Sequence, residues 1–114
     1  MNMVKIQGDG GELPKISAQD KKMYLQEYHH AADLFERAVD AYGKSDNPYQ
    51  KKAYEKVMNQ ALQILNETAQ GMSSPELLKQ NEIIQKDFEA FNAGTQDASK
   101  QLISHLEEAK KAIE

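Results

Sequence analysis

The sequence of 114 residues contains no cysteine, which excludes disulfides, thiolate metal sites and thiol catalysis within it and fits a reducing compartment. Long apolar runs are also missing. No stretch approaches the roughly 18 residues that span a bilayer, and the first residues lack the apolar core of a signal peptide. We therefore expect a chain without a membrane span, either cytoplasmic or exported without a cleavable signal peptide.

Clusters of positive charge are missing as well. The sequence has 14 Lys and Arg residues against 18 Asp and Glu residues, a net charge of −4, and the two signs are interspersed. Binding to nucleic acid phosphates or to anionic lipid needs clustered Lys and Arg, so we predict no nucleic acid partner. A chain of this length can form one domain around a single core.

Residues 17–43 carry the strongest pattern in the sequence. Their apolar residues recur three and four positions apart, which predicts a helix of about seven turns that packs against two neighbours. Ser17 is typical of an N-cap, and Gly43 is typical of the left-handed residue that ends a helix. The predicted inward residues are Tyr24, Tyr28, Ala31, Phe35, Ala38 and Tyr42, with a second row of Leu25, Ala32 and Val39.

Residues 48–70 predict a second helix. Asn47 followed by Pro48 is typical of an N-cap and a first helical position, and Gly71 is expected to end the helix. The short connection makes the first two helices antiparallel. The predicted inward residues are Tyr54, Val57, Met58, Ala61, Leu62, Leu65 and Ala69, with Ile64 on the flank.

The stretch after Ser74 leaves two interpretations open. Its apolar row keeps one helical phase up to Ile113, interrupted at Asn81, although Gly94 could end one helix before Thr95 caps another. Because a loop normally resets the phase, the pattern favours one helix over 75–113, bent near Gly94, with four helices as the alternative. The row consists of Leu77, Ile84, Phe88, Phe91, Ala98, Leu102, Leu106, Ala109 and Ile113.

The predicted fold class is all-α: an antiparallel helical bundle of three long helices, or of four if the third segment breaks at Gly94. Residues 17–114 then form a single helical-bundle domain. Residues 1–16 contain three glycines and a proline without persistent periodicity, which predicts a flexible N-terminal arm. Its apolar residues Met3, Val4 and Ile6 have no predicted partner strand, so we expect disorder or a loose wrap over the bundle.

The histidine pair on the first helix is the most chemical-looking feature. Glu27 and His30 have the Glu-x-x-His spacing of carboxylate di-iron bundles, but those sites need a second such motif, which the sequence lacks. His29 and His30 also lie outside the predicted inward rows, so we expect them to face away from the core. We therefore predict a solvated helix face and no metal site.

Catalytic patterns are missing. The sequence has no nucleophile elbow and no phosphate-binding glycine loop, and its tyrosines are expected to bury their rings with hydroxyls at the rim of the bundle. We therefore predict that the protein is not an enzyme and holds no cofactor.

The favoured function is a non-enzymatic helical module for protein–protein interaction, such as an adaptor, a secretion-associated component or an assembly component. A continuous third helix would extend beyond the first two and expose an apolar strip to a protein partner or a second copy. That strip consists of Leu102, Leu106, Ala109 and Ile113. The alternative is a small-molecule or metal-binding bundle with a core pocket, for which Asn81, Thr95 and His105 are the candidate polar groups.

Overall fold

The computed structural model describes residues 17–114, which form four α-helices joined by short connections. They are α1 (Ala18–Lys44), α2 (Pro48–Gly71), α3 (Pro75–Asn92) and α4 (Ala98–Ala112). The all-α class is confirmed. The predicted arm of residues 1–16 lies outside the described residues. None of the helices in 17–114 combines the length and the apolar character needed to cross a membrane.

The helices pack as an up-and-down bundle of four. α1 packs against α2 and α4, and α3 packs against the same two helices. α1 and α3 therefore lie on a diagonal of the bundle, and large side chains span the space between them. The rings of Phe35 and Phe88 meet edge to face there, with their centroids 5.3 Å apart.

The favoured expectation of one continuous third helix is wrong, and the four-helix alternative is correct. Gly94 has a φ of +79°. Its N–H donates to the Phe91 carbonyl over 3.1 Å, and the Thr95 N–H donates to the Ala90 carbonyl over 3.0 Å. This pair of hydrogen bonds is the Schellman arrangement that ends a helix at a left-handed residue. α4 starts after Asp97, which also has a left-handed backbone, so the cap expected at Thr95 is wrong.

The apolar phase misled the prediction because of the length of this turn. The seven positions from Phe91 to Ala98 equal about two turns of helix, so the pattern looks the same with or without a break. Because the chain reverses at Gly94, α4 returns along the bundle and completes its core. The overhang that a continuous helix would have formed is absent from the described residues.

The strip predicted to bind a partner is instead mostly inside the bundle. Leu102, Leu106 and Ala109 have no exposed surface, and Ile113 is half-buried at the end of α4. The prediction that this strip is exposed is therefore wrong. A role of these four residues in binding another chain stays a prediction, and it would require α4 to leave the core.

The predicted inward rows otherwise form the core. Every buried residue of α1 lies in the two rows predicted for it, whereas Tyr24, Leu25 and Tyr42 are half-buried. Two buried residues are polar, Thr68 and Asn81. Sequence reasoning placed Asn81 on the inward row as a candidate polar group, but it missed Thr68, because a polar side chain does not belong to an apolar pattern. The remaining core residues are Met58, Ala61, Leu65, Ala69, Leu77, Ile84, Phe88, Ala98, Leu102, Leu106 and Ala109.

Neither glycine expected to end α1 or α2 adopts a left-handed backbone. α1 continues through Gly43 to Lys44, and Ser45 leaves it in an extended conformation. At the end of α2 the positive φ falls on Ser73, at 52°, rather than on Gly71. Gly71 remains in the helix, and its small size matters for another reason, which lies in its contact with α1.

Candidate functional site

A polar network crosses the core between three helices. The Tyr28 hydroxyl of α1 donates to Oδ1 of Asn81 on α3 over 2.6 Å. The Asn81 amide nitrogen donates to the Leu65 carbonyl over 2.9 Å and to Oδ1 of Asn66 over 3.2 Å. Burial raises the pKa of the Tyr28 phenol, so the hydroxyl remains a donor at neutral pH. The expectation of tyrosine hydroxyls at the rim is therefore wrong for Tyr28.

The core-pocket candidates do not come together. The side chain of Asn81 already bonds to protein partners on α1 and α2, and Thr95 lies exposed in the turn between α3 and α4. The third candidate, His105, packs against the Asp87 carboxylate at the α3–α4 boundary. Three polar groups that occupy separate places cannot converge on one ligand.

A groove of about 880 Å³ lies between the first half of α1 and the last part of α2. Its apolar side chains are Met23, Tyr24 and Ala31 from α1 and Ile64 from α2. Met23 is 52 % exposed, so the groove presents an uncovered apolar side chain to solvent. The other lining residues are Gln26, Glu27, His30, Glu67, Thr68, Gln70 and Gly71.

Gly71 allows the two walls of the groove to approach each other. A Cβ atom built on Gly71 would lie 2.6 Å from Cζ of the Tyr24 ring, closer than such atoms can pack. The glycine therefore makes room for the tyrosine ring, which is half-buried at this end of the bundle. The sequence pattern indicates only helix termination at Gly71, because it does not show which residue of α1 lies opposite the glycine.

The charged residues of the groove are acidic. Glu27 on α1 and Glu67 on α2 line its two sides, and both are exposed. Among the described residues that line it, none is Lys or Arg. His30 also lines the groove, and both His29 and His30 are exposed, as predicted for a solvated helix face. An apolar floor between two carboxylates favours a ligand that combines apolar groups with positively charged groups.

The length of the groove limits the size of its ligand. Met23 and Ala31 are eight positions apart on α1, which is about 12 Å of helix. That length corresponds to about two turns of a helix or about four residues of extended chain. The groove therefore fits a short peptide segment rather than a whole helix of ordinary length.

Two other charged clusters hold helices together. Lys110 of α4 contacts the Glu36 carboxylate of α1, and it lies 3.3 Å from Glu107 and 3.8 Å from Asp33. Burial lowers the pKa of Lys110, but its bonds to Glu36 and Glu107 outweigh this effect, so the pKa is raised. Burial also raises the pKa of Glu36, against the opposing effect of Lys110. This cluster joins α4 to α1 through ion pairs.

The second cluster joins α3 to α4. Nδ1 of His105 contacts the Asp87 carboxylate, and the Gln80 side-chain amide donates to the His105 carbonyl over 3.1 Å.

Within residues 17–114, His, Asp and Glu side chains form no group of three that could hold a metal ion. Comparisons with protein-family models, curated proteins and solved structures find no match. The function is therefore inferred from the groove itself.

Proposed function

We propose that the protein is a non-enzymatic interaction module that binds a short apolar segment of a protein partner in the groove between α1 and α2. The observation that carries this proposal is the exposed Met23 side chain beside the half-buried Tyr24 ring. A ligand that covers these groups would bury apolar surface, and each Å² buried contributes about 25 cal/mol to the free energy of binding. Met is also suited to varied ligands because its unbranched side chain adapts to different shapes.

The charges of the groove define the chemistry of the partner. Glu27 and Glu67 lie on opposite sides, so a bound segment would place its flanking residues near both carboxylates. Lys and Arg are the side chains whose stems cover apolar surface while their charged groups reach a carboxylate. We therefore expect two or three apolar residues interleaved with or flanked by Lys or Arg.

A methyl NMR titration tests where such a segment binds. The probe is a synthetic peptide in which three apolar residues alternate with lysines. The protein is labelled on the methionine methyl groups, which report on three places. Met23 lies in the groove, Met58 is fully buried, and Met72 lines a separate cleft at the end of the bundle. The proposal predicts that the Met23 signal shifts progressively with peptide while Met58 does not.

A substitution at Gly71 provides a matched variant. Gly71→Ala would force the Tyr24 ring from its position, which changes the wall of the groove and should weaken peptide binding at least about threefold. Gly43→Ala is the control, because the added methyl group meets nothing within 4 Å. A titration that shifts Met72 alone, or that leaves Met23 unchanged at millimolar peptide, would contradict the proposed site.

A further inference from the structure

We infer that residues 3–6 of this same chain occupy the α1–α2 groove when no partner is bound, an inference that rests on the proposed function because both ligands use one surface. These residues read Met-Val-Lys-Ile. They lie outside the described residues, so the inference depends on their composition, on their distance along the chain and on the groove that they would reach.

The composition of residues 3–6 matches the ligand chemistry of the groove. Met3, Val4 and Ile6 are apolar, and Lys5 between them carries the positive charge that Glu27 and Glu67 would attract. Four extended residues span about 13 Å, close to the length of the groove along α1. The segment is thus an example of the ligand proposed for an external partner.

The length of the connecting chain is sufficient. Ten residues, 7–16, separate Ile6 from Ser17, and ten extended residues reach up to about 33 Å. Ala31, at the far end of the groove, is fourteen positions beyond Ser17, which is about 21 Å along α1. Three glycines within 7–16 permit the reversal of direction that returns the chain along the helix.

The consequence is competition between the N-terminal segment and a partner. A tethered segment acts at a high effective concentration, so it can occupy the groove even if its intrinsic affinity is weak. A partner then binds only to the fraction of molecules with a free groove, and its apparent affinity falls by that fraction. If nine-tenths of the molecules are occupied, disabling the segment should strengthen partner binding about tenfold.

Paramagnetic broadening in the full-length protein without any partner tests this inference. Because the sequence has no cysteine, Gln7→Cys creates a single attachment point for a nitroxide spin label. The label should broaden the Met23 methyl signal and the amide signals of residues 24–31. The amide of Tyr49 is an internal reference, since it is 22 positions from Gly71, or about 33 Å along α2.

Two matched variants make the result specific. Val4→Asp with Ile6→Asp in the labelled protein should reduce broadening of Met23 to the level at Tyr49. Asn2→Asp with Lys15→Gln changes the net charge by the same amount outside residues 3–6 and should leave the broadening in place. Both variants keep residues 17–114 unsubstituted, so a difference between them reflects the N-terminal residues rather than a changed bundle sequence.

The possible outcomes separate this inference from the proposed function. Broadening at Met72 alone, uniform weak broadening or none would overturn the inference while leaving the peptide titration free to succeed. In a mixed sample, one chain carries the methyl label and no cysteine, and a second chain carries the nitroxide and no methyl label. Broadening of Met23 in that sample would show that a second copy is the occupant, which also overturns the inference. Local broadening at Met23, with no binding of the lysine-containing peptide even by the Val4→Asp with Ile6→Asp variant, would support the inference and contradict the proposed external partner.

Discussion

The Tyr28 hydroxyl donates a 2.6 Å hydrogen bond to Asn81 across the diagonal that separates α1 from α3. Asn81 in turn donates to the Leu65 carbonyl of α2, so one amide side chain connects three helices. Buried polar groups are costly unless their partners are correctly placed, and a shifted register would leave these groups unpaired. The network therefore favours one alignment of the helices and fixes the position of α1 beside α2, where the groove lies.

A double-mutant cycle tests the coupling between these two side chains. Tyr28→Phe leaves the Asn81 oxygen without its hydroxyl donor, and Asn81→Leu leaves the Tyr28 hydroxyl buried without an acceptor, so each should lower the free energy of unfolding by about 1 to 3 kcal/mol. The double variant should lose less than the sum, because neither orphaned group remains. Chemical denaturation measures all four proteins, and simple additivity would show that the bond does not couple the helices.

Alkaline pH tests the burial of the same hydroxyl. Burial raises the pKa of Tyr28 above its ordinary value of 10.0, so the folded protein holds this proton more tightly than the unfolded chain. The protonated hydroxyl therefore contributes fully to the free energy of unfolding below about pH 10, and this contribution is lost as the pH rises further. The wild type should therefore lose more free energy of unfolding between about pH 9 and 11 than Tyr28→Phe does. Equal losses in the two proteins would mean that the phenol is exposed to solvent.

Two glycines test the turn that makes this a four-helix protein. Gly94 has a positive φ, whereas Gly43 lies within α1, and an added methyl group meets nothing within 4 Å at either position. Gly94→Ala should lower the free energy of unfolding by about 1 kcal/mol, because alanine resists the left-handed backbone. Gly43→Ala should raise it by up to about 1 kcal/mol. Stabilisation by Gly94→Ala would instead support a continuous third helix.

The attachment of α4 can be tested at two adjacent lysines. Lys110 is mostly buried against Glu36, whereas Lys111 is exposed. Lys110→Met would leave the Glu36 carboxylate without its cation and should cost about 2 kcal/mol of unfolding free energy. Lys111→Met should change it by less than about 0.5 kcal/mol. Similar effects of the two substitutions, measured by denaturation, would show that Lys110 does not hold α4 against α1.

The core could be predicted from the sequence because a helix repeats its inward face every three or four residues. Phe35 and Leu65 follow this rule, and so does Leu102 even though its helix was wrongly joined to α3. The break at Gly94 could not be recognised by phase, since seven positions separate Phe91 from Ala98. Asn81 interrupts the apolar row, and a pattern of apolar residues does not reveal a hydrogen-bond partner 53 positions away.

The groove was not predictable for a different reason. It requires the first half of α1 to lie beside the end of α2, with Gly71 against Tyr24, and this pairing depends on how the helices align. Sequence periodicity assigns a residue to a face but does not say which neighbour covers that face. Met23 lies outside the inward rows, so the pattern does not single it out, although it forms the exposed apolar part of the groove.

Selection from a random peptide library is the most direct test of the proposed binding site. The library is screened against the wild type, against Glu27→Lys with Glu67→Lys in the groove, and against Glu82→Lys with Glu89→Lys on the exposed face of α3. We expect apolar peptides flanked by Lys or Arg for the wild type and for the α3 variant, and apolar peptides flanked by Asp or Glu for the groove variant. Selection of the same peptides by all three proteins would contradict the proposed binding site.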